Sequence, residues 1–213
     1  MNVLVVTGPT ASGKTRFAAL LAQQLDGEII SADSRQVYRG MNLGTGKDYQ
    51  DYEVEGRRIP SHLIDMLEPG ATYDVYQFQQ DFYRLFRHLH GKGKLPVLCG
   101  GTGMYVEAAV EQYAMQDVPR VMALRRRLHH KSMDELRKLY FDWEPNPHNT
   151  TDTENRERLL RAIEIAMHQK WTKAGEAPEI RPLIFVLYFE RELQKRRIRK
   201  RLLQRLEEGM VEE

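Results

Sequence analysis

Gly8, Gly13, Lys14 and Thr15 fall in the stretch Gly8-Pro9-Thr10-Ala11-Ser12-Gly13-Lys14-Thr15, which fits the pattern G-x-x-x-x-G-K-[ST] in full. That spacing suits one kind of chemistry, the holding of phosphate groups. Glycines let the backbone curl until its N–H groups face inward, and a helix starting at the loop adds its dipole. Lys14 supplies a point charge for the terminal phosphate oxygens, and the Thr15 hydroxyl is placed to help hold Mg²⁺. The alternative is a glycine turn without function. Against it stands the context, an apolar strand before the loop and a helical pattern after it.

Two further segments carry candidate groups. Asp33-Ser34-Arg35-Gln36 follows a second apolar run, and Asp33 can serve as a base, a hydrogen-bond acceptor, a metal ligand or simply a turn former. Gly100-Gly101-Thr102-Gly103 follows another such run; Thr102 offers a hydroxyl to a ligand or an N-cap to a helix. If the runs are parallel strands, both segments meet the phosphate loop at the carboxyl edge, where open α/β sheets bind ligands.

The elements that must position these groups are readable. Val3 to Val6 is a β-branched and aliphatic run of the kind buried on both faces of a sheet. Thr15 to Leu25 has helical spacing, 28–31 and 62–65 read as strands, and Tyr73 to His90 places Phe78, Phe82, Leu85, Phe86 and Leu89 on one helical face. Leu95 to Cys99 is a strand broken by Gly100-Gly101, followed by a helix over 102–112. This alternation predicts an α/β fold with a parallel sheet and crossover helices, a three-layer P-loop NTPase-like architecture. Val118 to Tyr140 reads as two short polar helices, 144–152 as a proline- and asparagine-rich loop, 155–169 as a helix, Leu183 to Phe189 as a strand and 190–208 as a basic helix. We therefore expect a core of 1–116 with 151–213, and a short helical insert at 117–150.

Composition sets outer bounds. The 213 residues are 41% hydrophobic and 29% charged, ordinary for a globular chain. No run approaches a membrane span of about 20 apolar residues, and no leader pattern precedes Val3, so neither membrane nor secretion is expected. Cys99 is the single cysteine, which excludes an internal disulfide and fits the cytoplasm. Cys99 reads as a core residue. His129 and His130, adjacent on a presumed helix, should point apart and make a poor metal pair. His62, His88, His90, His148 and His168 show no ligand spacing, and Trp143 and Trp171 suit either packing or base stacking. The net charge is only +2, but Arg191, Lys195, Arg196, Arg197, Arg199, Lys200, Arg201 and Arg205 crowd one segment, and Arg125, Arg126, Arg127 and Lys131 a second. Such clusters suit either a polyanion or a solvated helix face.

Taken in order, the P-loop, Asp33-Ser34-Arg35-Gln36-Val37-Tyr38-Arg39-Gly40-Met41, Leu43-Gly44-Thr45-Gly46-Lys47, Pro96 to Tyr105, and Asn155, Arg158 with Arg161-Ala162-Ile163-Glu164 resemble the tRNA dimethylallyltransferase family, also called tRNA isopentenyltransferases. The resemblance covers most of the chain. It implies transfer of a dimethylallyl group from dimethylallyl diphosphate to N6 of an adenine beside a tRNA anticodon, with the adenine flipped out, on a cytoplasmic monomer using Mg²⁺. It implies Asp33 as the base toward N6 and Thr102 beside the adenosine. It implies diphosphate contacts from the P-loop and from Arg197 or Arg201. It implies tRNA contacts from Asp33, Ser34, Arg35, Gln36, Thr102, Arg125 and the stretch Glu157, Arg158, Leu159, Leu160 and Arg161. The chain departs from the family where Gly44-Thr45-Gly46-Lys47-Asp48 replaces the common Gly-Thr-Ala-Lys-Pro, where the insert is short, and where it ends at Glu213 without the usual C-terminal helices.

Three other readings stay open. An adenylate isopentenyltransferase would use free AMP, ADP or ATP; the basic segments and the insert favour a polymer instead. A P-loop small-molecule kinase accounts for the motif alone, but the fourth strand ends in Cys99-Gly100 rather than in the Asp of a Walker B strand. A non-catalytic tRNA-binding module would bind tRNA and release no diphosphate.

Overall fold

The computed structural model describes residues 1–147, 153–169 and 176–213. His148 and Trp171, singled out above, lie outside the described residues, as does most of the 144–152 loop. Among the described residues no helix is long and apolar enough to cross a membrane.

Two compact units are present, Met1–Tyr113 with Ala177–Glu213, and Ala114–Glu176. The larger is built on five parallel strands in the order β5 (Ser61–His62), β2 (Gly27–Ser31), β6 (Leu95–Gly100), β1 (Val3–Thr7), β7 (Pro182–Val186). Strand periodicity explains the three layers. Along β1, Val3 and Val5 face one core with α2 (Val75–Gly91) and α3 (Gly103–Val110). Leu4 and Val6 face the other, against Ala18, Ala19 and Ala22 of α1 (Lys14–Gln24). On α2, Phe78, Phe82, Phe86 and Leu89 recur at helical spacing and are buried. Its start is fixed by a capping box between Asp74 and Gln77. A small hairpin, β3 (Glu53–Val54) with β4 (Arg57–Arg58), adds Val54 to the α1 side. β7 is an edge strand whose Leu183, Ile184 and Val186 are exposed, and it ends at Val186, short of the expected Phe189. No residue of α7 (Arg191–Glu207) is buried.

The second unit holds α4 (Met122–Leu128), α5 (Met133–Trp143) and α6 (Arg156–Gln169). Here the expected boundary shifts. Helix α6 was assigned to the sheet core, but Leu159, Leu160, Ile163 and Ala166 pack with Leu128, Leu136 and Tyr140 in a core of their own. Two short helices offer too little apolar surface to bury each other, and the apolar stripe of α6 completes their cluster.

Candidate active site

The carboxyl ends of β1, β2 and β6 share one edge because the strands are parallel. Beyond β1 the loop 8–13 leads into α1, whose N-cap is Gly13 and whose first turn carries no acidic residue and no side-chain cap. Its first N–H groups are thereby left for an anion. Lys14 reaches back across the loop, its Nζ donating to the Pro9 carbonyl at 2.7 Å. Burial lowers the Lys14 pKa; Cys99 and Asp33 oppose that shift and the Arg201 charge adds to it, which sets all three within electrostatic reach of the amine. Ser12 Oγ is buried without a hydrogen-bond partner among the described residues.

Beyond β2 and β6 the chain makes two interlocked turns. Ala32 N–H donates to the Cys99 carbonyl at 2.8 Å, and Thr102 N–H donates to the Ala32 carbonyl at 3.2 Å. Gly100 permits this, since a Cβ there would lie 2.1 Å from the Ala32 oxygen. Thr102 occupies the N-cap position of α3, yet its side chain does not cap the helix. Its Oγ1 instead accepts from Ser34 N–H at 3.1 Å. Asp33 does act as a turn former, its Oδ1 accepting from Arg35 N–H at 2.9 Å. Its second oxygen has no hydrogen bond among the described residues, so the turn role leaves that oxygen open to the cavity.

One cavity of about 380 Å³ gathers these groups. The loop contributes Thr10, Ala11, Lys14 and Thr15, the β2 turn Asp33 through Gln36, the β6 turn Gly100 through Thr102, and α7 contributes Arg201. Gly8, Pro9, Ser12 and Gly13 shape the loop without lining it. Three contributors are not among the expected site residues: Tyr52, the Gly44–Gly46 turn, and Arg205. For Arg205 a signal existed, since residues 197, 201 and 205 recur every four positions and share one face of α7.

Other expected contacts take different places. Arg197 stands behind the loop rather than in this cavity. Its Nε donates to the carbonyl of Ala11, a residue held at φ 60°, and its guanidinium lies 4.8 Å from the Phe189 ring centre. Gln36 is buried, its amide bonded to Ser31 Oγ and to the Gly46 carbonyl. In the second unit Arg125 forks onto Glu164 at 2.8 and 3.1 Å and onto Glu157 at 2.7 Å. Burial alone would raise the Glu164 carboxyl, but Arg125, the Val121 N–H and Arg161 together hold it below its usual value. Leu159 and Leu160 are core residues; the 157–161 stretch leaves Glu157 and Arg158 exposed and Arg161 half-buried. His129 and His130 do not point apart. They lie in the turn past α4, their ring centres 5.1 Å from each other. Among the described residues no group of three or more His, Cys, Asp or Glu forms a metal cluster. Burial pushes the Cys99 thiol up to about 12, as expected of a core residue.

Comparison with known proteins agrees with this geometry. Residues 36–213 match the IPP transferase family. The chain is 50% identical to tRNA dimethylallyltransferase 1 of Parabacteroides distasonis, covering all of this chain and 69% of that one. It is 48% identical to tRNA dimethylallyltransferase 2 of Bacteroides fragilis, covering all of this chain and 70% of that one. The crystal structure of the full-length tRNA isopentenylpyrophosphate transferase from Bacillus halodurans is 32% identical, with a TM-score of 0.66 over 100% of this chain and 68% of that one. A eukaryotic dimethylallyltransferase acting on tRNA, 22% identical with a TM-score of 0.76, shares the fold. With half its residues identical to a curated relative along its whole length, and the family's pattern running from Gln36 to Glu213, this chain belongs to the IPP transferase family.

Proposed function

We propose that this chain transfers a dimethylallyl group from dimethylallyl diphosphate to N6 of an adenosine beside the anticodon of tRNA, releasing diphosphate. The observation that carries the reading is the single cavity lined both by Lys14 and Thr15 and by Asp33 and Thr102. A phosphate cradle and a carboxylate that can accept a proton are the two halves of this reaction. The kinase reading lacks its acidic strand end, since β6, the neighbour of β1, runs into Cys99-Gly100. The curated relatives named for tRNA favour a polymeric acceptor over free AMP.

In the reaction the bond between the allylic carbon and the diphosphate oxygen breaks, and its electron pair leaves with the diphosphate. The N6 nitrogen forms the new bond to carbon and gives up a proton. The free carboxylate oxygen of Asp33 receives that proton, which matters because the N6 lone pair is delocalised into the ring. Lys14, Arg201 and the loop N–H groups stabilise charge growing on the leaving group. Thr102 fixes the turn that carries Asp33 and offers its hydroxyl beside the adenosine. Arg35, exposed at the rim, contacts the tRNA backbone.

The residues present fit a Mg²⁺ ion. The Thr15 hydroxyl lines the cavity and is a hard oxygen donor. An ion completed by substrate phosphates rather than by a protein cage is what Mg²⁺ prefers. Bound there, it would supply charge neutralisation on the diphosphate. Action as a cytoplasmic monomer belongs to the same reading, and the one free cysteine, Cys99, suits a reducing compartment. Mass spectrometry of tRNA nucleosides from cells with and without the gene tests the reading. Dimethylallyladenosine should vanish from tRNA on deletion; an unchanged tRNA profile would refute it.

A further inference from the structure

We infer that Asp48 is a positioning residue for the diphosphate of the prenyl donor, acting through Arg201 and Arg205, and that Gly46 is the second half of the same device. The inference rests on the reading of the cavity as a diphosphate site.

Asp48 Oδ1 accepts from Arg205 Nη2 at 2.9 Å, and Oδ2 accepts from Arg201 Nη2. One carboxylate therefore holds two guanidiniums. Both arginines line the 380 Å³ cavity; Asp48 does not, and it lines a neighbouring cavity with Arg197, Lys200 and Arg201, which borders both. The cations reach the site and the anion that holds them stays outside its lining. Gly46 makes room for the pair. Its φ is +79°, and a Cβ there would lie 2.9 Å from Arg205 Nη2 and 3.3 Å from Arg201 Nη2. Its carbonyl also lies 3.4 Å from Arg201 Nη2.

The direction of control follows from which partner is fixed. The 42–48 turn is pinned from two sides. Lys47 Nζ is buried against Asp65 Oδ1 at 2.5 Å and the Tyr38 carbonyl, and Gln36 Nε2 donates to the Gly46 carbonyl at 3.1 Å. The arginines are long side chains on a helix with no buried residue. A carboxylate carried on a turn anchored at Gly46 and Lys47 thus sets two guanidiniums that are themselves 30% and 13% exposed, and it offsets their repulsion from each other and from Lys14. Ordering them before the ligand arrives removes a cost that binding would otherwise carry.

The test is calorimetric titration of inorganic diphosphate into the full chain, at about 0.5 M salt so that long-range charge effects are screened. Asp48→Asn should bind about tenfold more weakly, the scale of reordering a long charged side chain. Asp48→Glu should recover part of the loss. Gly46→Ala should weaken binding similarly, and the double variant should be no worse than the weaker single variant, because both act through the same arginines. Equal or tighter binding by Asp48→Asn would overturn the inference, as would additive losses. Should Asp48→Asn fail to fold, Gly46→Ala carries the same prediction, and unchanged affinity there overturns it. If the wild-type chain binds no diphosphate, the functional reading itself falls; if it binds and Asp48→Asn binds equally, only the clamp falls.

Discussion

Ser34 N–H donates to Thr102 Oγ1 at 3.1 Å, joining two turns that lie 68 residues apart in the chain. The bond sets the Asp33 turn against the β6 edge, and Ser34 Oγ lies 3.4 Å from the same hydroxyl. Thr102→Val removes the acceptor and keeps the shape. Stability should fall by about 1 kcal/mol, the worth of one hydrogen bond, and turnover by roughly 10–100-fold as Asp33 loses its setting. Thr102→Ser should restore most of both. Thermal melts and steady-state rates check this, and unchanged turnover in the valine variant would remove Thr102 from the site.

Asp33→Asn separates chemistry from binding. The amide oxygen can still accept from Arg35 N–H, so the turn survives. Diphosphate affinity should stay nearly intact while turnover drops by about 10²–10⁴, the usual worth of a positioned base. Turnover at the wild-type rate would refute the base assignment.

Lys14→Ala removes the amine that spans the loop to Pro9. A charge-assisted contact to phosphate is worth about 1.5–3 kcal/mol, so diphosphate should bind roughly 10–100-fold more weakly. Wild-type affinity in this variant would count against the loop as a diphosphate cradle.

In the second unit the prediction concerns acid. Glu164 is titrated below its ordinary value of 4.5 in the folded chain, with its side chain 1% exposed beside Arg125. A carboxyl depressed by folding stabilises the fold above its unfolded value. That contribution is lost as pH falls below 4.5 through the folded value. Amide exchange in α4 to α6 should therefore quicken below that pH. Glu164→Ala at neutral pH should destabilise this unit by about 1.5–3 kcal/mol, because it removes the Glu164 contacts of the half-buried Arg125 and leaves it with Glu157. Exchange in these helices that is indifferent to both changes would show the ion pair to be idle.

What was legible in the sequence had a local cause. Val3 to Val6, the phenylalanines of α2 and the glycines of the loop act through neighbours a few residues away, and their elements fell where expected. Asp33 and Thr102 were legible because parallel strands bring their ends to one edge. The misses are tertiary. Nothing in the spacing of Asp48 and Arg205 announces an ion pair across 157 residues. The resemblance implies Arg197 or Arg201 at the diphosphate, and the structure instead gives Arg197 the carbonyl of Ala11 as its partner. Leu159 and Leu160 carry their own signal, an apolar stripe, which marks them as core residues.

The most direct test of the central claim is the release of inorganic diphosphate from dimethylallyl diphosphate by the purified chain, with tRNA or AMP as acceptor. The geometry predicts release that depends on tRNA, in step with dimethylallyl groups appearing on its adenosine, and lost in Asp33→Asn. Release with AMP alone, or tRNA binding with no diphosphate released, would contradict it.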